Sequence, residues 1–270
     1  MAAAAPGNVL RVATLNLWGL RGDWPARRSV IAAGLAELNP DLVALQESVV
    51  TEERDQVAEI LPSHHLVHQR RREPDGQGVS IASRWPVDGV HEVDLDVSPR
   101  TADFACTTLV AEIDAPIGAL LFVNHLPNWQ LGLEYEREQQ AVVAARFVEG
   151  LVEETGRHVV LAGDMDADPE AASIRFWSGR QSLDATSVCY RDAWASARPG
   201  EAGHTFVPDN PLGADWDWPF RRIDYIFVRC GEHGGPTLAV RSCRQLFERP
   251  VDGVWASDHF GVTADLAPPL

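Results

Sequence analysis

The sequence predicts an α/β protein, and three features of its pattern support this prediction. Short apolar runs recur along the chain, and each ends in a polar residue followed by turn residues. Amphipathic helical segments follow several of these runs. The runs are also too continuously apolar for strands with one wet face, which indicates sheets covered on both sides. At 270 residues, we expect one domain over residues 9–270, preceded by a flexible segment, residues 1–8.

Six apolar runs are predicted to be strands because each is short, apolar and bounded by turn residues. In chain order they cover residues 10–17, 42–45, 78–82, 120–123, 159–162 and 223–228.

Three helices are predicted between these strands. The first has Pro25 in its first turn and ends before Asn39 and Pro40, and the second covers about residues 133–154. A third, shorter helix is predicted to begin at Asp168 as N-cap, with Pro169 at its first helical position. The apolar stripes of the two long helices are Val30, Ile31, Leu35 and Leu38, and Val142, Val143, Phe147 and Leu151.

The charge balance disfavours bulk nucleic acid as a partner. The formal net charge is −16, whereas nucleic-acid-binding proteins usually present a basic face that releases counterions. A local arginine rim is still compatible with the sequence, through residues 70–72 and the pair Arg221 and Arg222. For residues 70–72, a solvated surface run is the favoured interpretation. All 23 basic residues are arginine, which favours a bacterium with a GC-rich genome as the source.

The chain shows no pattern that favours a membrane or secretory role. Its first ten residues lack the basic and apolar regions of a signal peptide, and no run approaches the roughly 18 apolar residues that span a bilayer. We therefore expect a cytoplasmic protein with no membrane partner.

Oxygen-bearing side chains occur where several predicted strands end. Open α/β sheets place ligands beyond their strand ends, so residues distant in sequence are expected to meet there. Magnesium prefers oxygen ligands and is commonly held by one or two carboxylates plus substrate phosphate oxygens. Asn16, Glu47 and Asp258 are therefore candidate ligands of one or two Mg²⁺ (or Mn²⁺) ions. Each of them taken alone is better explained as a turn or cap residue.

Phosphoester hydrolysis also needs a positioned water, a proton acceptor and donors to the phosphoryl oxygens. Asp164 and His259 are candidates for these tasks, and His125 is a candidate phosphate donor. A carboxylate on the second ring nitrogen fixes the tautomer of a histidine and raises its basicity, and Asp224 is a candidate for that partner of His259.

Seven short motifs occur in order between Arg11 and Val262. Together they resemble the endonuclease/exonuclease/phosphatase superfamily, the DNase I-like proteins. The resemblance implies a four-layer α/β sandwich with two central mixed β-sheets flanked by helices and the site at one edge. The motifs are TLNLWG at 14–19, DLVALQE at 41–47, SRWPV at 83–87, NHL at 124–126, GDMD at 163–166, RIDY at 222–225 and SDH at 257–259.

The resemblance also implies a role for each site residue. It places Asn16 and Glu47 at the metal, Asp258 near it, His125 on the phosphate, Asp164 at the attacking water, and Asp224 on His259. It further places Thr205, in the loop before the RIDY strand, near the substrate. Trp129, Trp216 and Trp218 are expected to form aromatic substrate walls, although packing explains each equally well.

Asp166 departs from the family pattern, which usually has asparagine at this position. An ionised aspartate can only accept hydrogen bonds and would repel a phosphate. Asp166 either stays protonated beside Asp164, recruits a second metal ion, or marks a changed substrate or lost activity. The first two explanations are favoured because every other catalytic position is filled.

The sequence thus favours a metal-dependent phosphoester hydrolase, a phosphodiesterase or phosphatase acting on a small soluble phosphoester. One alternative is a nuclease that binds DNA or RNA through a local arginine rim. Another is a catalytically silent phosphate-binding module. The sequence leaves the substrate and the oligomeric state open, because one fold hosts many chemistries.

Overall fold

Two six-stranded mixed β-sheets face each other in the computed structural model, which describes residues 9–213 and 220–269. The spatial order in the first sheet is β11 (Ala239–Leu246), β12 (Gly261–Ala267), β1 (Leu10–Asn16), β2 (Leu42–Val49), β4 (Gln77–Ser83) and β3 (His65–His68). The order in the second is β5 (Val87–Asp94), β6 (Thr107–Ala115), β7 (Gly118–Leu126), β8 (His158–Asp164), β10 (Asp224–Arg229) and β9 (Tyr190–Asp192). The pairs β1–β2 and β7–β8 are parallel, and the other neighbours are antiparallel.

Helices cover the outer face of each sheet. Helices α1 (Trp24–Leu38) and α2 (Gln56–Ile60) pack on the first sheet, and α3 (Glu134–Thr155) and α4 (Ala172–Trp177) pack on the second. Helix α5 (Ala193–Ala197) contacts β10 and β11, one strand of each sheet. The layer order is therefore helix, sheet, sheet, helix, which confirms the predicted four-layer α/β sandwich.

Alternate residues of the central strands enter different cores, which explains why their sequences are continuously apolar. Val12 packs between the two sheets, whereas its neighbour Ala13 packs under the helices of the first sheet. In β7, Phe122 enters the core between the sheets and Leu121 the core under α3. Both faces of such strands are dry, as the sequence predicts.

The six predicted strands are confirmed as β1, β2, β4, β7, β8 and β10, most of them with longer bounds than predicted. Helix α1 is capped by Asp23, whose side chain accepts from the amide of Ala26, and Asn39 ends it in the left-handed conformation. The predicted start of the third helix at Asp168 is wrong. A turn closed by the amide of Ala171 and the carbonyl of Asp168 comes first, and α4 begins at Ala172. The single domain over residues 9–270 stays a prediction, and residues 1–8 lie outside the described residues.

The strand directions bring the chemistry-bearing motifs to one edge. Because β1 and β2 are parallel, Asn16 lies beside Gln46 at their carboxyl ends. Strand β10 is antiparallel to β8, so Asp224 at its start pairs with Asp164 at the end of β8. The two sheets are joined near this edge by a hydrogen bond of 2.7 Å from Gln46 Nε2 to Asn124 Oδ1, both fully buried.

Candidate active site

A bulge in β2 places Glu47 at the edge of the first sheet. The pairing with β4 shifts between Leu45 and Ser48, so that Gln46 and Glu47 together lie opposite the single residue Val79. Glu47 has a φ of +50°, in the left-handed region that a non-glycine residue adopts only when its surroundings impose it. Such bulges redirect a side chain at the margin of a sheet.

Asn16 connects Glu47 to the second sheet. Its Nδ2 donates to Glu47 Oε1 and to Asp164 Oδ2, both at 3.0 Å. The amide oxygen of Asn16 accepts from the backbone N–H of Trp18 at 2.9 Å. In this arrangement Asn16 orients two carboxylates through its N–H donors, and direct ligation of a metal by its oxygen stays a prediction.

Arg21 lies beside Glu47 in the loop that follows β1. Its Nη1 atom is 2.7 Å from Glu47 Oε2, and the arginine side chain is half exposed. The two carboxylate oxygens of Glu47 therefore have different partners, the amide of Asn16 on one and a guanidinium on the other.

His259 lies between two carboxylates of the second sheet. Its Nδ1 is 3.0 Å from Asp224 Oδ2 and 3.7 Å from Asp164 Oδ2, and all three residues are buried. Burial alone lowers the pKa of His259, but Asp224, Asp164 and Asp258 outweigh it and hold this pKa well above the ordinary value. The neighbouring carboxylates therefore favour the protonated ring, and Nδ1 donates to Asp224.

His125 has the opposite electrostatic character. Burial lowers its pKa to about 3, so the ring is neutral at physiological pH. Its Nδ1 is 2.7 Å from Thr108 Oγ1, and its ring packs edge-on against Trp177. With the hydroxyl donating to Nδ1, the ring carries its proton on Nε2 and remains a hydrogen-bond donor.

Gly163 permits the close approach of β7 and β8 beside His125. A Cβ atom at Gly163 would lie 2.1 Å from the carbonyl oxygen of His125, closer than any real contact, and φ is +153°. The glycine that precedes Asp164 in the GDMD motif is thus required for packing.

Asp166 is buried next to Asp164 and has a φ of +50°. Its backbone N–H donates to Asp164 Oδ1 at 3.1 Å, and Arg221 Nη2 donates to its carbonyl at 2.6 Å. Burial raises the pKa of Asp166 to about 6, although His259, Arg137 and Arg221 act in the opposite direction. This direction agrees with a carboxyl that retains its proton more readily than usual, but the largest cause is burial and not the proximity to Asp164 that the first explanation invoked.

Asp258 completes the acidic edge. Burial raises its pKa to about 6, against the effect of His259 and with that of Glu47. Ser257 Oγ donates to the carbonyl of Asn16 at 2.7 Å, which fixes the SDH motif to the end of β1. The amide of Asn210, which sequence reasoning missed, donates to the carbonyls of Ser257 and Asp258.

A buried arginine missed by sequence reasoning holds the loops beside Asn16 and Asp258. Arg27 donates to the carbonyls of Leu17, Gly19 and Ala256 at 2.7–2.9 Å. The sequence around Arg27 does not indicate this role, because the acceptors are backbone carbonyls of two loops that are distant from each other in sequence.

Comparison with known proteins identifies the family. A sequence model of the Endonuclease/Exonuclease/phosphatase family matches residues 13–259. The chain belongs to the endonuclease/exonuclease/phosphatase family. Members of this family are metal-dependent phosphoester hydrolases.

One curated relative of this family member comes from Drosophila melanogaster and is provisionally named a neutral sphingomyelinase. The two sequences are 27% identical over 286 residues, which cover 95% of this chain and 60% of the relative. This chain therefore spans less than two thirds of that relative's length.

Solved structures of the family share the fold. Truncated TDP2 of Caenorhabditis elegans has a TM-score of 0.74 at 18% identity, covering 96% of this chain and 97% of that chain. An endonuclease/exonuclease/phosphatase of Bacteroides vulgatus has a TM-score of 0.73 at 20% identity, covering 97% and 99%. TDP2 of D. rerio, complexed with a single-strand DNA product, has a TM-score of 0.73 at 20% identity, covering 96% and 98%. The expectation that disfavoured nucleic acid is therefore not supported.

The family's metal requirement has a counterpart in the acidic side chains of the site. Glu47 and Asp258 offer the hard oxygen ligands that magnesium prefers, and burial with like charges makes a bound cation favourable there. A second set, Asp164, Asp224 and His259, brings one ligand atom from each residue within 4.8 Å of the others. Nδ1 of His259 is already hydrogen-bonded to Asp224 Oδ2 at 3.0 Å, which favours the first set as the metal ligands.

The predicted substrate residues have different surroundings. Trp129 follows β7 and its surface is 38% exposed. The hydroxyl of Thr205 accepts from the backbone N–H groups of Ile223 and Asp224, and the residue is fully buried. These contacts hold the start of β10, and a substrate contact of Thr205 stays a prediction. Trp216 and Trp218 lie outside the described residues.

Among residues 9–213 and 220–269, the structure has no helix that is long and apolar enough to cross a membrane.

Proposed function

We propose that this family member hydrolyses a small phosphodiester or phosphomonoester at the edge formed by Glu47, Asn16, Asp164, His259 and Asp224. The observation that carries the proposal is the continuous contact between these side chains. It runs from Glu47 through the amide of Asn16 to Asp164, and from there to His259 and Asp224. Residues from four strands and one loop thus form one connected site.

Glu47 and Asp258 would hold the divalent cation, with Asn16 orienting Glu47. A bound ion supplies positive charge to the phosphoryl oxygens. This assignment is supported by hard oxygen donors and by the buried negative charge at this edge.

The protein side chains divide the remaining work by their charge. The imidazolium of His259 donates a proton or hydrogen bond toward a phosphoryl oxygen, and Asp224 keeps its ring oriented and charged. Asp164, held by Asn16, positions the attacking water. The neutral ring of His125 donates to the phosphate without adding charge.

A nucleic-acid phosphoester is the second candidate substrate, because the chain has the fold of a TDP2 that was crystallised with single-strand DNA. The exposed residue Trp129, four positions after His125, is suited to stacking on a base.

The first experiment is hydrolysis of a panel of substrates with Mg²⁺, Mn²⁺ or EDTA. The panel contains bis-p-nitrophenyl phosphate, p-nitrophenyl phosphate, single- and double-stranded DNA, and sphingomyelin in detergent micelles. We expect metal-dependent turnover that Glu47→Ala reduces at least about 100-fold, while the exposed control Glu53→Ala leaves it unchanged. The preferred panel member distinguishes diesterase, phosphatase and nuclease. Absence of turnover on every member would contradict the proposal and favour the silent binding module.

A further inference from the structure

Arg72 differs from the two arginines that precede it. Arg70 pairs with Glu92 and Arg71 with Asp94, both at the exposed surface, as a solvated run predicts. The guanidinium of Arg72 instead turns toward the backbone of the first sheet. The interpretation of residues 70–72 as a solvated run is therefore wrong for Arg72.

All five N–H donors of Arg72 are used. Four of the acceptors are backbone carbonyls and the fifth is a serine hydroxyl. They are Ser48 O at 2.6 Å, Val79 O at 2.8 Å, Ser80 Oγ at 2.8 Å, Gly76 O at 2.9 Å and Gln69 O at 3.2 Å. Only arginine offers this many donors in a fixed planar arrangement.

These acceptors surround the bulge that carries Glu47. Ser48 is the next residue after Glu47, and Val79 is the residue that lies opposite the bulged pair. A bulge disrupts the local ladder of hydrogen bonds between two strands. Nη1 of Arg72 donates to the carbonyl of Ser48 in β2, and Nη2 donates to the carbonyl of Val79 in β4. The guanidinium thus connects the two strands at the bulge and fixes their separation and register there.

The backbone around the bulge is built to admit this side chain. A Cβ atom at Gly78 would lie 3.0 Å from Arg72 Cγ and 2.7 Å from Gln69 Oε1, so the close approach needs glycine. The carbonyl of Gly76, which Arg72 also binds, accepts from the N–H of Val50, the residue that follows β2. Arg72 thus contacts β2 and β4 and the turn between β3 and β4.

We propose that Arg72 is a positioning residue that holds the β2 bulge in the conformation that points the Glu47 carboxylate at the metal site. The inference rests on the proposed role of Glu47 as a metal ligand. The five hydrogen bonds of Arg72 stabilise the backbone around Glu47 in its left-handed conformation. Without them, this conformation is less populated, and the Glu47 carboxylate samples positions away from the other ligands.

The neighbouring arginines provide a matched test. Arg72→Gln and Arg71→Gln remove the same charge from adjacent positions, and only the first removes the contacts with the bulge. Binding of Mn²⁺ is measured from the electron paramagnetic resonance signal of the free ion, without substrate. We expect Arg72→Gln to weaken Mn²⁺ binding about tenfold or more, in line with the loss of an outer partner of a metal ligand, and Arg71→Gln to bind as the parent does.

A second readout separates positioning from loss of fold. At saturating Mn²⁺, turnover by Arg72→Gln should return to within about threefold of the parent, because the bulge can still reach the bound conformation. Arg72→Lys, which keeps the charge but bonds fewer acceptors, should bind Mn²⁺ with intermediate affinity. If Arg72→Gln does not fold, Arg72→Lys decides: weakened binding supports the inference and parental affinity overturns it.

Glu47→Gln distinguishes failure of the inference from failure of the proposed function. If Glu47→Gln loses Mn²⁺ binding while folded Arg72→Gln keeps it, the inference about Arg72 is wrong and the role of Glu47 stands. If Glu47→Gln binds Mn²⁺ as the parent does, Glu47 is not a ligand and both proposals fail.

Discussion

Nδ1 of His259 lies 3.0 Å from Oδ2 of Asp224, and both residues are buried at the edge where the two sheets meet. The carboxylate keeps the imidazole charged in a setting where burial alone would neutralise it. His125, buried without such a partner, has its pKa lowered to about 3. The two buried histidines therefore differ because His259 has neighbouring carboxylates, Asp224 foremost among them, and the pKa of His125 is shifted by burial alone.

The change Asp224→Asn should move the pH dependence of turnover. The pKa of His259 falls when the charge of Asp224 is removed, so the imidazolium deprotonates at lower pH. We expect the alkaline limb of the kcat/KM profile to shift to lower pH, and kcat at pH 7.5 to fall about 10²–10⁴-fold. Asp209→Asn, which alters an exposed carboxyl, is the control. An alkaline limb at the parental position would show that Asp224 does not set the charge of His259.

Metal affinity should increase with pH between about 5 and 7. Burial raises the pKa of Asp258 to about 6, so protons compete with the cation below that pH. The sign follows because the metal binds only the ionised carboxylate. Titration calorimetry in two buffers of different ionisation enthalpy should detect release of about half a proton per Mn²⁺ ion at pH 6 and almost none at pH 8. Affinity that is independent of pH over this range would argue against Asp258 as a ligand.

Much of the fold and the composition of the site could be predicted from the sequence. Asn16, Glu47 and Asp164 could be proposed because each closely follows a continuously apolar run, and open α/β sheets place ligands beyond the ends of such runs. The strands with mixed exposure were missed, for example β5, where side chains of intermediate burial alternate with exposed ones and the apolar signal is weak.

The supporting residues could not be predicted, because their partners are backbone groups of distant segments. Arg72 looked like part of a charged surface run, and its acceptors become available only after β2 and β4 pair with a shifted register. Asn210 supports Asp258 from 48 residues away, and no local pattern encodes that contact. Asp168 has the side chain of an N-cap, but a turn through Ala171 intervenes.

The change Trp129→Ala should affect substrate binding more than turnover. The ring is 38% exposed beside the end of β7, so its removal leaves the core intact while deleting a stacking surface. We expect KM to rise about three- to tenfold and kcat to change less than about twofold. Val251→Ala, which truncates another exposed apolar residue, serves as the control. Unchanged kinetics for Trp129→Ala would remove it from the substrate wall.

The change Asp166→Asn should stabilise the metal-free protein at high pH and not at low pH. The pKa of Asp166 is about 6 in the folded chain, against an ordinary value of 3.8. Below about pH 3 the carboxyl is protonated in both the folded and the unfolded state, so its burial does not change the free energy of unfolding. Between 4 and 6 the folded state binds more protons, so the free energy of unfolding falls as the pH rises, and the loss is complete above 6. Asparagine resembles the protonated form and also tolerates the positive φ of this position.

Urea unfolding in EDTA measures this difference. We expect Asp166→Asn to raise the free energy of unfolding by about 3 kcal/mol at pH 8, and by about 0.5 kcal/mol at pH 4. Asp168→Asn, at a half-exposed carboxyl two residues away, should change it by less than about 0.5 kcal/mol at either pH. A gain that is equal at both pH values would mean that removal of the buried charge is not its cause. If Asp166→Asn also bound metal and turned over substrate like the parent, the aspartate would have no special role in the site.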